Sequence, residues 1–258
     1  MIMKKYTRKN MLVLLIIPMV VIFLFDCIMY KNEYITLDNF LISSLFGSNS
    51  KLEKKIYVLL IDNLYYIILF NFLYGSYIYD EFRNNEVYQF TRIRNRGKWF
   101  KNKFFKLLGL AVLYSTMLLM CIFVIGMYTT DDLPEIQTYL LLFRMLIMIS
   151  SIIFLSTLVI NILSIKLNNI EAFAIVYISI LALVFIATIQ NQKLPDMSKI
   201  DLENLWNPMA GLILNSKDNP LFQYFSITYY AVLSIIGFFV GNKTIGKMDI
   251  SLVDNEVK

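Results

Sequence analysis

Histidine is absent from the 258 residues, and cysteine and glycine are scarce. Without imidazole the chain cannot build the histidine zinc sites of proteases or a triad in which histidine is the base. The two cysteines, Cys27 and Cys121, lie in long apolar runs, which indicates small buried side chains rather than a disulfide or a metal site. We therefore expect a chain that is not an enzyme and that binds no metal or cofactor.

Charged residues are also scarce, at 17% of the chain, whereas hydrophobic residues make up 58%. A soluble domain is usually about half apolar and about a quarter charged. The apolar residues occur in blocks of about twenty, long enough for a helix to cross a bilayer. The composition therefore predicts an all-α membrane protein with a single transmembrane domain over residues 1–258.

Six apolar blocks are predicted to be transmembrane helices, at about 11–30, 56–79, 104–128, 138–165, 170–189 and 224–241. The first block follows a basic N-terminus but is too long for the apolar region of a typical cleavable signal peptide, so it is taken as the first span. Between the first two spans, LDNFLISSLFG is too short to cross the bilayer. We predict that it forms a short helix lying on the bilayer surface.

Lysine and arginine are concentrated on one side of this arrangement. An even number of spans places both termini on the same side as residues 80–106 and the turn after the fourth span, and these regions hold most of the basic residues. By the positive-inside rule this side is cytoplasmic. The net charge of +5 is explained by this topology, so no nucleic-acid partner is expected.

Three ionisable residues, Asp26, Asp62 and Arg144, lie inside predicted spans, each in the part nearest the outer face. Each would cost about 2.5–3.5 kcal/mol at the bilayer centre. Similar depth and opposite sign predict pairing between Arg144 and one or both aspartates. The pair could form a gate on a substrate path or an ion pair that holds the helices in register, and the sequence leaves both possibilities open.

The segment 241–248, GNKTIGKM, matches most of the phosphate-binding pattern GxxxxGK[ST]. Met248 stands where that pattern has the hydroxyl residue that binds Mg²⁺, and the segment follows an apolar span instead of a strand. We therefore expect that the chain does not hydrolyse ATP by itself.

The most charged segment lies between the second and third predicted spans. Its sequence, YDEFRNNEVYQFTRIRNRGKWFKNKFF, occupies residues 79–105. We predict an amphipathic helix over 80–93, a break over 94–97 and a second helical piece over 98–106, with Trp99 and Phe100 at headgroup depth and Lys98, Lys101 and Lys103 reaching outward. The segment is either a basic anchor for acidic lipids or a docking helix for a cytoplasmic partner, and the acids Asp80, Glu81 and Glu86 favour the docking helix.

This organisation resembles that of type-2 ABC exporter permeases. The shared features are six spans, a basic N-terminus, a tight turn after span four, a long outer loop before span six, and a charged segment that starts with Asp80 and Glu81 and ends with Lys103 before span three. The run EVYQFTRIRNRGKWFKNKF also resembles small permeases of Gram-positive bacteria linked to bacteriocin or peptide export and self-immunity.

The resemblance implies a permease in a bacterial plasma membrane, with both termini cytoplasmic. The implied partners are a cytoplasmic ABC ATPase subunit that carries the ATP and Mg²⁺, a second permease subunit, identical or different, and membrane lipids. The implied substrate is an amphipathic peptide, an antimicrobial or a lipid-like molecule. The segment between spans two and three would be the coupling helix, with the turn after span four as a second contact. The residues implied for ATPase coupling are Asp80, Glu81, Arg83, Glu86, Arg92, Arg94, Arg96, Lys98, Trp99, Lys166 and Asn168.

Two other functions remain open. One is an ATP-independent transporter or channel that uses Asp26, Asp62 and Arg144. It is weakened because these charges are shallow, whereas such transporters usually bind their substrates near the midplane at broken helices. The other is a non-transporting immunity or scaffold protein.

Overall fold

The computed structural model describes residues 36–46, 56–81, 96–130, 132–192 and 221–247. Regular structure in these residues is entirely helical, without a strand. The helices are α1 (Leu37–Phe46), α2 (Ile56–Tyr74), α3 (Arg96–Thr130), α4 (Ile136–Lys166), α5 (Asn169–Gln192) and α6 (Leu221–Lys247). The predicted all-α class is therefore confirmed for this part of the chain.

Four of the described helices are long and apolar enough to cross a membrane, as in a multi-pass membrane protein. They are α3, α4, the Asn169–Ile186 part of α5 and the Tyr224–Gly246 part of α6. They coincide with the last four predicted spans, and α2 coincides with the second. The first predicted span, 11–30, and most of the long loop before α6 lie outside the described residues, so six spans and the position of the termini stay predictions.

The helices α2 and α4 run in the same direction. Asn71 of α2 accepts a hydrogen bond from the Thr157 hydroxyl (2.6 Å), and further along both helices the Tyr74 carbonyl accepts one from Asn161 Nδ2 (3.1 Å). Two contacts in the same order along the two chains define a parallel pair.

The remaining long helices complete an up-and-down arrangement. Gly237 and Gly241 of α6 lie against Leu158 and Ile162 of α4 in that order, so α6 is parallel to α4. Phe100, near the start of α3, also lies against Gly241, so α3 runs the opposite way, as does α5 relative to α2. The start of α3, the turn between α4 and α5 and the end of α6 therefore share one end of the bundle.

α4 is the central helix of the described bundle. It contacts α2, α3, α5 and α6, and 67% of its apolar window is buried, compared with 17% for α6. Toward α2 it presents Ser156 and Thr157, whose hydroxyls bond both to Asn71 and to a carbonyl of their own helix. Small polar side chains let membrane helices approach closely and hold them by hydrogen bonds.

The outer face of α3 shows the apolar band expected of a membrane helix. Lys98, Lys101 and Asn102 are exposed near its start, and the exposed side chains from Phe105 to Tyr128 are mainly apolar. The roughly 23 residues between these two aromatics span about 35 Å, close to the hydrocarbon thickness of about 30 Å. Phe105 therefore lies near the boundary between the apolar band and the polar end.

α1, which coincides with the predicted surface helix, packs against the other end of the bundle. The Leu37 N–H donates to Asp132 Oδ2 after α3 (3.3 Å), and Thr138 Oγ1 of α4 donates to Asp38 Oδ1 (2.6 Å). Gly126 of α3 allows this contact, since a Cβ there would lie 2.7 Å from Leu37. The apolar side of α1 is buried, with at most 3% exposure, at Leu37, Phe40, Leu41 and Leu45. An apolar side of this kind fits protein as well as lipid, and here it packs on protein. Its position relative to the bilayer stays a prediction.

The predicted span 56–79 is interrupted near its end. α2 stops at Tyr74, and the chain is helical again over 77–81 after a turn at Gly75 and Ser76. A Cβ on residue 75 would lie 2.3 Å from Phe173 Cζ of α5 and 2.5 Å from the Asn71 carbonyl oxygen. Glycine is required here because α5 and the preceding turn both approach closely.

Gly75→Ala is expected to lower the thermal unfolding midpoint of the purified protein, because the backbone oxygen beside the new methyl group cannot move away freely. Overpacking of this kind typically costs about 1–3 kcal/mol. The matched control is Gly109→Ala on α3, where a Cβ meets nothing within 4 Å and alanine is the better helix former by about 1 kcal/mol. Equal midpoints for the two variants in a thermal-shift assay in detergent would contradict the close contact.

Candidate functional site at the basic end of the bundle

The two ends of the described bundle differ in charge. The end with the start of α3 carries basic side chains, namely Arg96, Lys98, Lys101, Lys103, Lys106, Lys166 and Lys243. We call it the basic end. At the opposite end, the described residues of α1 and the α3–α4 turn contribute the acids Asp38, Asp132 and Glu135. The predicted coupling residues that the structure describes all lie at the basic end.

Glu81 and Lys103 form a salt bridge that joins the end of α2 to the start of α3. Their side chains are only 30% and 18% exposed, so the pair is partly shielded from solvent. The Lys103 ammonium also lies 5.5 Å from the ring centroid of Tyr77 and 6.0 Å from that of Trp99. The two ends of the charged segment are therefore held together by a pair that links both flanking helices.

α3 begins earlier than the sequence predicts. Arg96 and Gly97, placed in a predicted break, are helical, and the helix runs unbroken from Arg96 to Thr130. Phe100 is fully buried and stacks on Phe238 of α6, with ring centroids 5.9 Å apart. The basic residues thus extend the third span instead of forming a separate piece, because packing on α6 continues the helix beyond the apolar band.

Asp80 and Trp99 flank the salt bridge. Asp80 Oδ2 accepts a hydrogen bond from the Ser76 hydroxyl (2.7 Å), and the backbone N–H of Asp80 donates to the Ser76 carbonyl (2.7 Å). Trp99 is half-buried beside Lys103. Asp80 therefore stabilises the short helical segment that carries Glu81.

The turn between α4 and α5 exposes Lys166 and Asn168. The Leu167 N–H donates to the Leu163 carbonyl (2.8 Å), which ends α4, and Asn168 Nδ2 donates to Glu171 Oε1 of α5 (3.3 Å). The turn is thus short, ordered by local hydrogen bonds and open to a partner.

Asn161 of α4 replaces the hydrogen bonds that the break removes from α2. Its Oδ1 accepts from the backbone N–H groups of Ile78 (2.7 Å) and Tyr79 (3.3 Å), and its Nδ2 donates to the Tyr74 carbonyl (3.1 Å). Asn161 is 0% exposed, so water cannot take over these bonds. This one side chain sets the direction in which residues 77–81, and with them Glu81, leave the bundle.

Sequence reasoning missed Asn161 and Asn71, which lies 0% exposed one turn before the break. The signal was present, since an amide inside an apolar span needs a hydrogen-bonding partner, and Gly75–Ser76 interrupts the same span. A single sequence does not reveal that one amide serves the break in another helix.

The other predicted site residues are only partly placed. Arg83, Glu86, Arg92 and Arg94 lie outside the described residues, as do Asp26 and the side chain of Asp62. Arg144 is half-buried on α4, in the half of the helix that lies away from the basic end. No carboxylate of a described side chain pairs with it. Its pairing with Asp26 or Asp62 stays a prediction.

Comparison with known protein families, curated proteins and solved structures gives no match. No group of three or more His, Cys, Asp or Glu side chains in the described ranges could hold a metal ion. The basic end offers an exposed turn, exposed cations and one shielded ion pair, an arrangement suited to contact with a partner.

Proposed function

We propose that this protein is the transmembrane permease subunit of an ABC exporter. It would move an amphipathic peptide, an antimicrobial or a lipid-like substrate across a bacterial plasma membrane. A separate cytoplasmic ATPase subunit would bind and hydrolyse the ATP with its Mg²⁺. A second permease subunit, identical or different, would complete the transport path.

The salt bridge between Glu81 and Lys103 is the observation that carries the proposal. A segment that receives force from an ATPase must be attached firmly at both of its ends. Otherwise the segment would move without moving the transmembrane helices. Here the two flanks are joined to each other by the pair, and the α2 flank is also joined to α4 by Asn161. A push on the segment would therefore move α2 and α3 as a unit.

The position of the second contact supports the same proposal. The exposed α4–α5 turn lies at the same end of the bundle as the predicted coupling segment, and α4 packs against all the other long described helices. A partner below the basic end could touch both at once. The excess of cations at this end favours the cytoplasmic side by the positive-inside rule, where an ATPase would be found.

Tagged protein isolated from its native membrane is expected to retain a stoichiometric subunit that hydrolyses ATP. Reversing two exposed cations of the proposed contact, Lys98→Glu with Lys166→Glu, is expected to reduce the ATPase activity retained by about tenfold, which corresponds to about 1.4 kcal/mol of binding. The matched control is Lys243→Glu, an exposed cation at the same end on α6, outside the proposed contact.

Absence of an ATP-hydrolysing subunit from the wild-type preparation would contradict the proposal. If the double variant retains as much ATPase activity as wild type, Lys98 and Lys166 do not belong to the contact surface. If no ATPase is retained but the purified chain alone carries ions or peptide across liposome membranes, the ATP-independent transporter would be the correct class.

A further inference from the structure

Two lysines share one tyrosine ring at the basic end. The ammonium groups of Lys103 and Lys106 each lie 5.5 Å from the ring centroid of Tyr77. Glu81 neutralises Lys103, whereas Lys106 has no carboxylate partner among the described side chains. The cluster therefore carries one positive charge that the described protein does not balance.

The depth of Lys106 points to what balances it. Lys106 is exposed and directly follows Phe105, which is 54% exposed at the edge of the apolar band. Lys98 and Lys101 lie farther out toward water on the same helix. An ammonium at this boundary is level with lipid phosphates, and the aromatic rings of Tyr77 and Trp99 have the amphipathic character favoured at headgroup depth.

We propose that an anionic phospholipid binds between the end of α2 and the start of α3, with its phosphate on the Lys106 ammonium. Its acyl chains would lie along the exposed apolar face of α3, where Val112 and Leu113 continue the band. A zwitterionic lipid also has a phosphate, but its own ammonium would meet the two lysines. The site therefore selects net negative headgroups, and it requires only that the chain lies in a membrane, not that it is an exporter.

The test uses the full chain, purified in detergent and stripped of lipid, with native mass spectrometry to count the lipid retained. The probes are phosphatidylglycerol, phosphatidylcholine and soluble glycerol phosphate. Wild type is expected to retain phosphatidylglycerol in preference to phosphatidylcholine, and Lys106→Gln is expected to bind it about fivefold more weakly, the usual effect of one cation near an anionic surface. Lys106→Arg is expected to bind like wild type, as is the matched control Lys101→Gln.

Four results would overturn the proposal. They are equal phosphatidylglycerol retention by wild type and Lys106→Gln, equal losses in Lys106→Gln and Lys101→Gln, equal retention of the two lipids by wild type, and displacement of phosphatidylglycerol by an equal concentration of glycerol phosphate. The second would indicate diffuse attraction to the whole basic end, and the last a site for free anions. Wild-type binding by Lys106→Arg checks that substitution at this position leaves the protein folded.

Discussion

Asn161→Leu is expected to destabilise the protein although leucine keeps the branched shape of the asparagine side chain. The change removes the hydrogen bonds that Asn161 makes with the backbone N–H of Ile78 and the carbonyl of Tyr74, in a region closed to water. A buried polar group that loses its hydrogen bond costs about 1–3 kcal/mol, while interhelical hydrogen bonds in a membrane average about 0.6 kcal/mol. We expect a total loss of about 1–3 kcal/mol and a drop of several degrees in the thermal unfolding midpoint.

The matched control is Ser151→Ala on the same helix. The Ser151 hydroxyl donates to the Ile147 carbonyl of its own helix (2.6 Å), whose backbone bond survives the substitution, so little change is expected. If Asn161 merely filled space, leucine would be neutral or stabilising. That result would show that the break in α2 does not depend on the Asn161 side chain.

The sequence predicts the long helices well because a helix that crosses a membrane must be apolar along its crossing length, so an apolar run also indicates a helix of that length. A run of about twenty apolar residues is long enough to cross, and the α3, α4, α5 and α6 runs all behave in this way. Hydropathy reports where lipid ends, however, and not where a helix ends. Arg96 and Gly97 fall in a predicted break, yet they are helical and continuous with α3, because Phe100 packs on α6 and Glu81 pairs with Lys103.

The features that sequence reasoning missed depend on contacts between distant segments. The apolar side of α1 would suit protein or lipid, and contacts with distant residues, among them Gly126, Asp132 and Thr138, hold it against protein. The break at Gly75 likewise depends on Asn161 from another helix. The candidate site was predicted from charge and from a resemblance. Both identify the charged segment, but neither predicts which of its side chains pair with each other.

Reversing Glu81 to lysine is expected to uncouple the proposed ATPase from the bundle while the protein still folds. Glu81→Lys would place a third cation beside Lys103 and Lys106 and push the ends of the charged segment apart. Partly exposed ion pairs contribute only about 0.2–1 kcal/mol to stability, so the thermal midpoint should change little. ATPase activity retained in purified complexes is expected to fall about tenfold, or about 1.4 kcal/mol of coupling.

The charge-swapped double variant, Glu81→Lys with Lys103→Glu, separates two roles of this pair. If the pair works by tying α2 to α3, the swap restores the attraction and is expected to recover most of the retained ATPase activity. If Glu81 instead contacts the ATPase directly, the swap will not recover the retained ATPase activity. The proposal that the pair works by joining α2 to α3 would then be wrong. Lys101→Glu is the matched control, since it changes the charge by the same amount, in the opposite sense, at an exposed position on the same turn of α3. A loss in this control equal to that in Glu81→Lys would mean that any change of charge at the basic end is sufficient, and the pair would have no special role.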